Sequence, residues 1–235
     1  MEPYKLLLLI AALLIALATM SSTYKYVEFK CQKGNRALPK AKKGLSWNAV
    51  CVLIVGVCAA VSLFLLDDGT TQGFAKAILC IVFALFAVFG TTVDSYIRII
   101  GNEMLLAMLP VGILYRILDG GISSLLGSLL ALLIIILTFG LAMMGTKKLK
   151  GVIGVGMGDV KLSMVIALTV GFPGVTTFMG GMALAIVAYC FIGLRTHMLQ
   201  KNSYFPMCGM IMAGLLTALY NPVLPMIVEK VAKLF

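Results

Sequence analysis

Long apolar runs follow one another along almost the whole chain, broken only by short charged or glycine-containing connections. This pattern decides the fold class. About 20 apolar residues are what an α-helix needs to cross the hydrocarbon core of a bilayer, and every backbone polar group inside that core must be paired within the segment. Eight apolar segments stand out, at 6–20, 47–66, 74–93, 102–118, 122–144, 159–172, 175–194 and 206–220. The segment at 159–172 is short, and Pro110 interrupts the fourth, which a membrane helix tolerates. The expected fold is an all-α polytopic membrane protein with about eight transmembrane helices. Composition agrees: 61% of residues are hydrophobic and 12% charged, against about 25% charged in a soluble domain. That excludes a disordered chain, a water-soluble globule and a nucleic-acid-binding domain.

The first apolar run has some look of a signal peptide, with Ala16-Leu17-Ala18 resembling a cleavage site. Few basic residues precede it and further spans follow, so a retained first span is expected. Net charge is +10, and its distribution reads as topology. With eight alternating spans, the side holding the basic loop 25–46 collects 14 Lys and Arg, and the other side collects 5. The positive-inside rule puts the richer side in the cytoplasm and both termini outside. The loop, with Lys25, Lys30, Lys33, Arg36, Lys40, Lys42 and Lys43, is expected to meet anionic lipid headgroups, at about 1 kcal/mol per charge near the surface. The chain divides into two N-terminal spans with this loop (1–66), a core (74–221) and a tail or helix extension (222–235).

Two carboxylates stand where segments end and begin. Asp94 closes the third segment in Thr91-Thr92-Val93-Asp94-Ser95-Tyr96, and Asp159 opens the sixth in Gly154-Val155-Gly156-Met157-Gly158-Asp159-Val160-Lys161-Leu162. Two intervening spans return the chain to the same membrane side. Ionisable groups there are costly unless they face a cavity or a partner. Two carboxylates within a few ångströms share a proton and titrate as a unit. Such a pair can hydrolyse an amide: one member takes a proton from water while the other donates to the carbonyl. The plainer reading of each residue is a helix cap or an interfacial charge. The glycines before Asp159 allow close backbone approach. They lack the Gly-Lys-Ser/Thr of a phosphate loop, and no strand precedes them as a dinucleotide site needs. Proton or cation relay in a transporter, and a scaffold with both residues as caps, stay open alternatives. The first of these expects carboxylates nearer the midplane.

The six cysteines, Cys31, Cys51, Cys58, Cys80, Cys190 and Cys208, form no CxxC pair. They read as small buried hydrophobes, with no disulfide framework, metal site or cofactor expected.

With these residues in view, the chain resembles the type IV prepilin peptidases, membrane aspartic proteases related to the preflagellin peptidases. Gly156-Met157-Gly158-Asp159-Val160-Lys161-Leu162 is similar to that family's Gly-x-Gly-Asp-x-Lys-Leu motif. Asp94 followed by Ile100 and Asn102 is similar to its other motif, an Asp before Ile-Pro-Asn, with Gly101 here in place of the proline. Phe205-Pro206-Met207-Cys208-Gly209-Met210 through Gly214 loosely resembles its closing segment. The resemblance covers about residues 74–214, a catalytic core of six spans. It implies a multi-pass protein of a prokaryotic inner membrane. It also implies removal of a short basic leader from type IV prepilins or pseudopilins at the cytoplasmic face, with Asp94 and Asp159 as the catalytic pair. Gly156, Gly158, Lys161 and Asn102 would support them. Family members that also methylate the new amine hold two zinc-binding CxxC pairs in the first loop. Here that loop holds Cys31 alone, which argues against metal-dependent methylation.

Other polar residues read more simply. Lys161 is either a neighbour of the carboxylates or a snorkelling anchor. Asn102 suits a cap of the fourth helix, Glu103 a helix N-terminal charge, and Arg98 the face of Asp94 if its helix continues. His197 reads as interfacial.

Overall fold

The computed structural model describes residues 3–39, 44–150, 156–195 and 207–222. Its elements are helices α1 (Pro3–Lys33), α2 (Leu45–Val61, prolonged by one π-helical turn at Ser62–Leu66), α3 (Thr71–Ile97), α4 (Asn102–Gly120), α5 (Ser124–Lys150), α6 (Met157–Arg195) and α7 (Met207–Tyr220). Two compact units divide the chain, Met1–Ile99 and Ile100–Phe235. The first holds α1 to α3, the second α4 to α7.

In their described parts the eight apolar segments are helical apart from the turn at 122–123 and the kink at 171–172, and five helices among the described residues are long and apolar enough to cross a membrane: α1, α2 with its π turn, α3, α5 and α6. With 14 residues, α7 rises about 21 Å, less than the roughly 30 Å of hydrocarbon core. The 19 residues of α4 include Glu103, Pro110, Arg116 and Asp119. The sixth and seventh segments are the two helical parts of α6, 39 residues in all, which meet at a kink where Gly171 (φ 61, ψ −176) and Phe172 (φ −91, ψ 137) leave helical space. A φ of +61 is the region glycine enters freely.

Arg116 secures that break within the second unit. Its guanidinium lies against the Gly171 α-carbon, donates to the Ser124 carbonyl (3.3 Å) and the Phe172 carbonyl (3.4 Å), and pairs with Asp119 at 3.2 Å. The Ser124 hydroxyl returns a hydrogen bond to the Arg116 carbonyl at 2.9 Å. A residue whose charge reads from sequence as topology alone thus ties the end of α4 and the start of α5 to the middle of α6.

Helix α1 runs 13 residues beyond the first apolar segment, so residues 25–33 of the expected loop 25–46 are helical. The reason is periodicity. Ala12, Ala16, Met20, Thr23, Val27 and Cys31 recur three or four apart and are all buried, while Lys25 and Lys33 are exposed. Charged residues on the outer face cost the helix little. Lys40, Lys42 and Lys43 of that loop lie outside the described residues. In the first unit, Ala16 and Met20 pack on Cys51, Val55 and Val88, and Ala12 on Ala59, Leu63 and Ile81. The Lys5 ammonium pairs with the buried Asp67 carboxylate at 2.9 Å, fastening the start of α1 to the turn before α3.

In that turn Asp68 accepts hydrogen bonds from the Thr70 hydroxyl (2.6 Å) and the Thr70 N–H (3.0 Å). The hydroxyl bond, then the amide bond, holds its carboxyl below the usual 3.8. A depressed folded value contributes stability above the unfolded pKa, and loses it as pH falls through the folded one. Protection of the Thr70 amide against hydrogen exchange, corrected for intrinsic rate, is expected to hold at pH 5 and decline below about pH 4. Asp68→Ala should remove that dependence.

The second unit packs α6 against α4, α5 and α7. Its core draws on Met104 and Met108 of α4, Ala131, Ile135 and Phe139 of α5, Leu162 and Ile166 of α6, and Ile211 and Leu215 of α7. The outer faces of α5 and the second half of α6 carry Leu126, Leu133, Leu137, Leu184, Val187 and Phe191 exposed. A lipid-facing surface has this character. Lipid is as apolar as leucine, so helices gain by close van der Waals fit at small residues. Gly112 meets Thr169, Gly181 meets Thr217, and the Gly214 α-carbon presses on the backbone of α6, where a β-carbon would stand 2.6 Å from the Phe178 carbonyl oxygen.

Candidate active site

Asp94 lies in the last turn of α3 and is 6% exposed. The helix ends three residues later because Arg98 adopts the left-handed conformation (φ 52, ψ 45), its N–H closing onto the Asp94 carbonyl at 2.9 Å. Arg98 therefore does not continue the face of Asp94, as an unbroken helix would have it, and its side chain is exposed. The chain then reaches Gly101 at φ −68 and ψ 130. That φ is the value a proline ring imposes, at the position where the resembling motif carries proline. The Gly101 carbonyl accepts from the Met104 and Leu105 amides, at 3.1 and 3.4 Å. Gly101, not Asn102, is thus the N-cap of α4. Asn102 is the first helical residue and is exposed, as is Glu103 in the same turn.

Asp159 occupies the first turn of α6 and is half-buried. The Gly156 carbonyl accepts from the amides of Asp159 (3.1 Å) and Val160 (3.2 Å). Gly156 is therefore the cap, and Asp159 is the third helical residue, where the partial positive charge of the helix N-terminus favours an anion. Its carboxylate folds back over Gly156, where a β-carbon would stand 2.7 Å from Oδ2. At Gly158 a β-carbon would stand 3.3 Å from the Ile100 Cβ. The second motif's glycine thus packs on the isoleucine that follows Asp94 in the first motif. Both Ile100 and Gly158 belong to the second unit, and Asp94 belongs to the first. Lys161 is exposed on the outer side of α6, next to the buried Leu162 and Ser163.

Among the described residues, no three of His, Cys, Asp and Glu gather as metal ligands would. Cys31 is buried, 1% exposed, beside Val27 and Val93. His197, Lys201, Phe205, Pro206, Gly154, Val155 and the tail from 223 lie outside the described residues. The rest of the closing segment, from Met207 to Gly214, forms the first half of α7.

Sequence reasoning passed over Thr92 and Trp47. The buried Thr92 hydroxyl donates to the Val88 carbonyl at 2.8 Å and accepts from the Trp47 indole N–H at 3.2 Å. A lone tryptophan opening an apolar run, and a threonine two places before Asp94, were the available signals. An indole N–H inside an apolar unit needs an acceptor.

Both motif carboxylates stand in terminal turns of their helices. Comparison with known proteins bears on the same residues. The profile of the type IV leader peptidase family matches residues 78–220. The match starts inside α3 and ends with α7, and both Asp94 and Asp159 fall within it. No curated protein and no solved structure matches the chain. The match takes in more than half of the sequence, and the chain belongs to the type IV leader peptidase family.

Proposed function

We propose that this chain is a prepilin leader peptidase. It hydrolyses the bond between a short basic leader and the apolar helix of a type IV prepilin or pseudopilin, at the cytoplasmic face of a prokaryotic inner membrane. Family membership implies leader-peptidase hydrolysis in a membrane protein of the type IV pilus group. The observation that carries the finer reading is the placing of both matched carboxylates in terminal helical turns, Asp94 closing α3 and Asp159 opening α6.

In this reading one carboxylate is ionised and the other protonated. The ionised member takes a proton from water as the water oxygen attacks the scissile carbonyl carbon. The protonated member gives its proton to the carbonyl oxygen. Collapse of the tetrahedral diol breaks the C–N bond, and the departing nitrogen takes up a proton from the pair. Gly156 gives Asp159 room, Gly158 seats the turn against Ile100, and Lys161 and Asn102 lie exposed beside the two carboxylates in sequence. Residues 74–221 form the catalytic core in this account, and 1–66 the accompanying N-terminal part. The helices alternate sides, as in the eight-span reading, so the basic connection after α1 faces the cytoplasm with both termini outside. There its lysines and Arg36 meet anionic headgroups.

The test is cleavage by the full chain in vesicles, given a synthetic peptide with a basic leader ahead of an apolar helix. Leader release with no proton leak supports the proposal. A leak that depends on Asp94 and Asp159, without cleavage of any candidate substrate, supports transport instead. A subtler change checks the part given to Gly156. Gly156→Ala drives a methyl into the Asp159 carboxylate, and a displacement near 1 Å costs up to about 100-fold in rate. We expect a loss of about 10- to 100-fold in cleavage at an unchanged amount of folded protein.

A further inference from the structure

The family match begins at residue 78 and leaves α1 and α2 without a part in the reaction. Within the first unit, however, these helices hold the residues around Asp94. Two positions before it, Thr92 is pinned by the Trp47 indole of α2 and lies 3.8 Å from the Cys51 sulfur. One position before it, Val93 is buried with Val27 and Cys31 of α1, which are 0% and 1% exposed. Two positions after it, the Tyr96 ring packs edge-on to Tyr24 of α1, centroids 6.0 Å apart. One turn earlier on α3, Phe89 meets Tyr26 at 5.3 Å. The α1 residues in these contacts all belong to its prolongation past Met20.

We infer that the N-terminal hairpin is the positioning scaffold of Asp94, with Tyr24 and Val27 of α1 and Trp47 of α2 as positioning residues. The inference rests on the reading of Asp94 as a catalytic carboxylate. The physical argument is rotational. A turn at the end of a helix frays unless its side chains are packed, and α3 ends three residues after Asp94 at the left-handed Arg98. At 100° per residue, the contacts on residues 92, 96 and 93 fall within one 100° face of the helix, and Asp94 points 100° beyond its edge. They fix both the rotation of the turn and its helicity. In this inference Tyr24 acts through its ring, which Tyr24→Phe keeps.

The experiment uses the full chain in membranes. Tyr24→Ala and Val27→Ala should lower kcat at least about tenfold with KM unchanged, and shift the pH profile of kcat. Tyr24→Phe should keep the wild-type rate and profile. Leu9→Ala removes a comparable contact at the far end of α1, beside Ala12 and Ala59, and should leave kcat and the profile alone. A second arm does not depend on catalysis. Asp94→Cys is alkylated with iodoacetamide, corrected for the native cysteines, with Tyr24 intact or replaced by alanine. The alkylation rate should change at least threefold on Tyr24→Ala and stay constant on Leu9→Ala. An unchanged alkylation rate with an unchanged kcat in Tyr24→Ala overturns the inference. So does a loss in Leu9→Ala equal to that in Tyr24→Ala, because α1 would then serve stability alone. If Asp94→Asn still cleaves, the catalytic reading of Asp94 falls, and the alkylation arm decides the scaffold by itself.

Discussion

Asp94→Asn and Asp159→Asn are each expected to lower leader cleavage at least 100-fold, and up to about 10,000-fold, the range that a positioned acid or base supplies. An amide keeps the size and most of the hydrogen-bonding of a carboxylate, but it neither takes a proton from water nor gives one to a carbonyl. The double variant should be little worse than either single one, because residues that act as one unit give non-additive losses. Fold is not expected to suffer. Asp159 is half-buried in the first turn of α6, where loss of its charge forfeits only about 0.3–1 kcal/mol of interaction with the helix N-terminus. Asp94 is buried at a helix end, and the neutral amide is no harder to bury than the charge it replaces. Rates at matched amounts of folded protein, by mass spectrometry of the released leader, check both statements.

The largest expected effect on stability is at Gly214. A β-carbon there would stand 2.6 Å from the Phe178 carbonyl oxygen and 3.0 Å from the Met182 Cβ. The first of these is backbone and cannot rotate aside, so Gly214→Leu has to part α6 from α7. Overpacking of this kind costs about 1–3 kcal/mol and occasionally more, and a four-carbon side chain falls at the upper end. Gly180→Leu supplies the contrast. Gly180 is exposed, and nothing lies within 4 Å of its would-be β-carbon. We expect a clear drop in melting temperature and yield for Gly214→Leu, and wild-type values for Gly180→Leu. Equal stability of the two variants would show that α7 does not sit on α6 as described.

Apolar runs revealed the helical class and the helical segments because membrane helices declare themselves by composition. The place of Asp159 at a helix start was legible because glycines and a helix-opening acid are local features, written in consecutive residues. What stayed hidden is what depends on partners distant in sequence. Charge hid the prolongation of α1 through Lys25, Glu28 and Lys30, although Thr23, Val27 and Cys31 continue the buried spacing of Ala12, Ala16 and Met20. Arg116 read as a loop charge because its hydrogen bond to the Phe172 carbonyl joins positions far apart in the chain. Asn102 read as a cap by residue type, but the cap is Gly101, chosen by backbone geometry. The break near residue 172 was legible too, because the glycine and proline that flank Phe172 are local features, and Gly171 and Phe172 leave helical space there.

The most direct measurement is the intact mass of a prepilin co-expressed in the same membranes with the wild-type chain, with Asp94→Asn, or with Asp159→Asn. The account predicts loss of the leader mass with the wild type and full-length prepilin with each variant. Loss of the leader with either variant, at wild-type rate, would contradict the assignment of the two carboxylates.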